Sequence, residues 1–162
     1  MIVKMVVRQL IGIGLIMIGM LFSSAPAQAG MPIFDNRYEL LPVGDEVRDW
    51  KTKLIWQRCL VGQEWNGARC VGSPHKFTFA QARKLEEGGW RIPNKMELES
   101  ILDQSGIKPT IHRRAFLGAG GNVWTSSSAG SVAYLVWATS FDYGFSYSAL
   151  RGNGLYVRLV RG

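Results

Sequence analysis

Residues 88–102 read Gly-Gly-Trp-Arg-Ile-Pro-Asn-Lys-Met-Glu-Leu-Glu-Ser-Ile-Leu, and they leave the backbone few choices. Gly88 and Gly89 supply the left-handed conformation that ends a preceding helix without steric cost. Pro93 keeps Ile92 out of the helical region, so Trp90-Arg91-Ile92 is a short extended piece. Asn94 reads as an N-cap, with Glu97 three residues later as its reciprocal capping-box partner. Leu98, Ile101 and Leu102 then fall at i, i+3 and i+4, which makes one face of the new helix apolar. Ser105-Gly106 marks its end. The stretch predicts a corner: helix, glycine turn, extended plug carrying a tryptophan, second helix. Arg91 is expected to bridge a carboxylate or carbonyls beneath that corner, a structural role.

The helix entering the corner begins at Thr78, an N-cap whose capping-box partner is Gln81. Phe79, Ala82 and Leu85 share its inner face. Upstream, residues 46–49 and 54–58 read as two strands joined across Trp50-Lys51-Thr52-Lys53. Downstream, residues 123–127, 133–140, 144–149 and 155–160 read as strands separated by glycine- and asparagine-rich turns. Together these predict an α+β domain of antiparallel strands with two short helices. Trp56, Trp90 and Trp124 are expected in its core. In the last strand Leu155, Val157 and Leu159 alternate with Tyr156, Arg158 and Val160, so one face is wholly aliphatic.

The chain has two cysteines, Cys59 and Cys70. An even count in an exported chain reads as one disulfide. Closing so short a loop stabilises a fold by roughly 3 kcal/mol in the chain-entropy model. Asn66-Gly67 lies inside the loop and predicts a small hairpin stapled at its base.

Export itself is expected from residues 1–29. Lys4 and Arg8 form a positive start, residues 10–22 are apolar and uncharged, and Ala27-Gln28-Ala29 gives a small-x-small cleavage pattern. The apolar run is short of the roughly 20 residues a spanning helix needs, so no membrane span is expected after cleavage. Removing 29 of the 162 residues leaves 133, and losing Lys4 and Arg8 lowers the net charge from +7 to +5. That length fits one domain, with residues 30–44 as a leader segment and 45–162 as the domain proper. A periplasmic, secreted or cell-surface location follows.

Residues 47–58 (Val-Arg-Asp-Trp-Lys-Thr-Lys-Leu-Ile-Trp-Gln-Arg), 62–67 (Gly-Gln-Glu-Trp-Asn-Gly), and 89–93 (Gly-Trp-Arg-Ile-Pro) with Glu97-Leu98 form an ordered set. Residues 123–127 (Val-Trp-Thr-Ser-Ser) and 156–161 (Tyr-Val-Arg-Leu-Val-Arg) complete it. Together these stretches resemble the C-terminal domain family of the bacterial collagen-like adhesin Lcl. The resemblance covers residues 46–161. It implies a C-type-lectin-like fold with the termini brought together. For the namesake adhesin it also implies binding to sulfated polysaccharide. The collagen-like stalk is lacking, so trimer formation does not carry over.

Trp-Arg-Ile-Pro before an acidic helix also resembles sulfatase-modifying enzymes of the same broad fold. Those need reactive cysteines late in the chain, and none follows Cys70. Calcium-dependent lectins of this fold carry Glu-Pro-Asn or Gln-Pro-Asp; here Ile92 precedes Pro93-Asn94. No metal, no cofactor and no catalytic residue is expected. Glu97 and Glu99 point in different directions on a helix, and His75 and His112 form no cluster.

What remains is a binding module. Excess positive charge favours polyanions, here acidic polysaccharide or another cell-envelope component, with nucleic acid set aside. The basic groups nominated are Lys51, Lys53, Arg113, Arg114, Arg151, Arg158 and Arg161. Tyr143, Phe145 and Tyr147 alternate late in the chain, where aromatic faces can stack on sugars. Alternation on a half-buried strand explains the same pattern and is the preferred reading of these residues. An accessory envelope protein that binds a protein partner is the alternative function.

Overall fold

The computed structural model describes residues 31–118 and 120–162. The expected signal segment, residues 1–29, lies outside them. Four short strands come first: β1 (Ile33–Phe34), β2 (Tyr38–Leu40), β3 (Glu46–Asp49) and β4 (Ile55–Gln57). β5 (Glu64–Trp65) and β6 (Cys70–Val71) form a separate hairpin, followed by α1 (Phe79–Ala82), whose last turn tightens into a 3₁₀ turn over Arg83–Leu85. Then come α2 (Lys95–Ser100), β7 (Asn122–Ser128), β8 (Leu135–Ser140), β9 (Phe145–Leu150) and β10 (Val160–Arg161).

The architecture is α+β with antiparallel sheets. The first sheet has the order β1-β2-β3-β4-β10, so the first and last strands share it. The second is the three-stranded β7-β8-β9. Strand alternation makes the first sheet two-sided. Val47 and Trp56 pair across β3 and β4 and are fully buried, while Glu46, Arg48, Ile55 and Gln57 face outward. Inside it lies an aromatic and aliphatic cluster of Tyr38, Trp56, Leu98, Ile101, Phe116 and Val160. A second cluster joins Phe79, Ile92, Trp124, Val136, Val157 and Leu159 behind β7–β9.

The corner forms as its residues dictate. Gly88 and Gly89 have φ of 59° and 84°. Asn94 accepts from the Glu97 N–H at 2.9 Å and Glu97 returns the bond to the Asn94 N–H at 2.7 Å. Arg91 donates to both Glu97 oxygens, at 2.7 and 2.8 Å. Burial alone would raise the Glu97 carboxyl, but Arg91 and the Asn94 N–H outweigh it and hold it below the usual range. Thr78 and Gln81 form the other capping box.

Four expectations need correction. Within the expected leader, Ile33–Phe34 and Tyr38–Leu40 are strands of the first sheet, tied to β3 by Tyr38–Asp49 pairing. There Arg37 donates to both Asp49 oxygens. The second helix ends at Ser100 rather than at Ser105-Gly106, because Leu102 leaves it to bridge Ile111. The last strand is shorter than residues 155–160: Leu155 and Tyr156 make single bridges to Phe77 and Val123, and only Val160 and Arg161 pair with β4. Trp56 and Trp124 are core, whereas Trp90 is half-buried at the edge of the second cluster.

Candidate functional site

The nominated residues fall in separate places. Tyr143, Phe145 and Tyr147 stand on and just before β9, an edge strand of its sheet. Same-side alternation brings the rings into a row, with centroids 6.1 Å apart from Tyr143 to Phe145 and 6.3 Å from Phe145 to Tyr147. Exposure falls along it: Tyr143 is 67% exposed, Phe145 53%, and Tyr147 packs partly against the second cluster. Burial accordingly pushes the Tyr147 phenol up. The row therefore runs from core to solvent.

Its open end carries a cation that the sequence reading passed over. Lys108 Nζ lies 4.8 Å from the Tyr143 ring centroid. Thr110 holds this segment in place by donating its N–H and hydroxyl to the Phe141 carbonyl, at 2.7 and 2.8 Å. Gly144 packs so close to Thr110 that a Cβ there would stand 3.2 Å from its methyl. Arg113, exposed, follows on the same segment. Lys108 sits in an irregular stretch without periodicity, so only the fold could reveal its neighbour.

The other cations lie elsewhere. Arg114 lies over Phe34 at 4.4 Å and gives its carbonyl to Arg58. Arg151, exposed at the far end of β9, lies over Phe79. Lys51 and Lys53 are exposed in the β3–β4 turn, with Lys53 Nζ 4.9 Å from the Trp50 ring. Arg161 donates to Glu46 at 2.6 Å and lies over Trp90. Arg158 is the exception and leaves the surface set: it is 1% exposed and donates to the carbonyls of Gln57 and Arg58 at 2.7 Å. Its position in the alternation turned it inward with Val160, toward Phe116. Burial pushes its guanidinium down to about 9.

Cys59 and Cys70 are joined, closing the β5–β6 hairpin at its base. Both cysteines of the sequence are thereby used. Among the described residues no group of three or more His, Cys, Asp or Glu is arranged around a common point for a metal. His112 instead places Nε2 2.8 Å from the Asp35 carboxylate and accepts from the Ala115 N–H, tying the β1–β2 turn to the segment after α2.

Residues 45–161 match the family model described as the Lcl C-terminal domain. The chain belongs to the Lcl C-terminal domain family. The match takes in the corner, the disulfide hairpin and the whole β7–β9 sheet, and it begins just before β3. In this member of the Lcl C-terminal domain family, β1 and β2 therefore extend the first sheet beyond the matched segment. No curated protein matches the chain significantly. No helix among the described residues is long and apolar enough to cross a membrane.

Proposed function

We propose that this chain is a non-catalytic, adhesin-associated binding module that acts outside the cytoplasm and takes anionic or sulfated glycan along the Tyr143–Tyr147 row. Family membership supports the adhesin-associated part and an extracellular location. The observation that carries the ligand class is the row itself: three adjacent rings, graded from core to solvent, with Lys108 over the outermost. Rings present apolar faces to the C–H side of a sugar, while Lys108 and Arg113 supply charge for sulfate or carboxylate. We read the fold as C-type-lectin-like, since its first and last strands share one sheet and two short helices flank the strands. The disulfide supports a non-catalytic reading against thiol chemistry of the sulfatase-modifying type, because neither sulfur is free.

A glycan array at low and physiological salt tests this proposal. Binding to sulfated polymers that weakens steeply with salt is the expected result. A second reading, docking to an envelope protein, is favoured by the exposed edge of β9, where Leu150 is 52% exposed. Failure to bind any sulfated or carboxylated glycan would leave that reading ahead.

A further inference from the structure

A cleft of 410 Å³ opens between the disulfide hairpin and the corner, far along the chain from the aromatic row. Its size falls within the roughly 300–1,000 Å³ usual for small-ligand sites. Trp65 lines it from β5 and Trp90 from the corner, both half-buried. Asp45, Glu46, Gln57 and Gln63 supply its polar side chains. Each element was placed for a local reason: Trp65 is fixed by donating to the Val43 carbonyl at 3.0 Å, and Trp90 by its glycine turn.

The electrostatics narrow the ligand. Glu46 is neutralised by Arg161 at 2.6 Å, and Asp45 is the carboxylate whose charge acts on Arg58. The same two arginines lie over the two indoles, Arg58 at 4.9 Å from Trp65 and Arg161 at 4.6 Å from Trp90. The Arg58 donors are spent on the carbonyls of Gly44, Arg114 and Ala115. An anion would therefore meet the Asp45 carboxylate and the already paired Glu46, with no lysine or arginine lining the cleft. A cation would meet indoles that already carry one. Neither sign of charge gains from entering.

We infer that this cleft is a second ligand site, for an uncharged oligosaccharide. Indole surface suits the C–H faces of sugar rings, and neighbouring carboxylate and amide groups suit pairs of hydroxyls. The side chains of Asp45 and Gln57 line the cleft and present a carboxylate and an amide to it. Gln63 is partly engaged, accepting from the Leu60 N–H at 3.3 Å.

The test is an NMR titration of the exported chain with cellotriose, maltotriose and triacetylchitotriose. At least one should shift the indole N–H signals of Trp65 and Trp90 and the side-chain amide of Gln57, equally at low and high salt. Asp45→Asn and Gln57→Ala should each weaken that binding about tenfold while leaving the melting temperature within a degree or two. Binding to sulfated polymer at the Tyr143 row should be unchanged in both variants, which separates the two sites. The inference is overturned if none of the three neutral trisaccharides moves the Trp65 and Trp90 signals. It is equally overturned if a sulfated or an amino trisaccharide moves them more strongly.

Discussion

Arg158 shows how one side chain changes the account of a surface. Its desolvated guanidinium faces two carbonyls and the Phe116 ring, so Arg158→Ala should reduce stability and leave glycan affinity unchanged. Equilibrium denaturation alongside a binding isotherm separates the two effects. Asn94→Ala removes one bond of a capping box and should cost about 1 kcal/mol in the same measurement. The acids predict a pH dependence. Burial would raise the Asp49 carboxyl, but donors from Arg37, Thr52 and the Lys51 N–H hold it below the usual range, as Arg91 does for Glu97. The unfolded state then binds protons more readily, so their stabilisation is complete above the ordinary carboxylate range and is lost as pH falls through the depressed folded values. Denaturation midpoints measured from neutral pH down to about pH 3 should fall, and Asp49→Asn should flatten that decline.

Among the elements, the corner was legible in the residues because its signals are local: positive-φ glycines, a proline restricting its neighbour, and a capping pair three apart. The strands of β7–β9 were legible for the same reason, each bounded by turn residues. What escaped depends on distant partners. The β1–β2 hairpin has little periodicity and is held by long-range pairing with β3 and by Arg37–Asp49. The early end of α2 depends on Leu102 meeting Ile111. Trp90 had the same local signature as a core residue, yet its indole is only half-buried, lines the cleft and has Arg161 over it. Trp124→Ala should therefore cost about 3–5 kcal/mol, and Trp90→Ala only about 2 kcal/mol, when both are unfolded by denaturant. Equal losses would mean that the Trp90 indole is as deeply packed as that of Trp124.

At the scale of the molecule, the first sheet closes the chain on itself and leaves β9 as an aromatic edge beside a basic segment. The proposed glycan site rests on neither feature alone but on the juxtaposition of Tyr143 with Lys108, which only the fold creates. The basic groups of the described residues stand in separate places, so binding should depend on where a charge stands rather than on how many there are. The most direct measurement is the affinity for a sulfated polysaccharide, such as heparin, of the Lys108→Glu/Arg113→Glu variant against Lys84→Glu. Lys84 is exposed on the 3₁₀ turn after α1 and serves as the control for charge alone. The double variant should bind at least about tenfold more weakly, a loss of about 1.4 kcal/mol, with Lys84→Glu close to the parent protein. Equal losses in the two variants, or none in either, would contradict the placement of the glycan at the Tyr143 row.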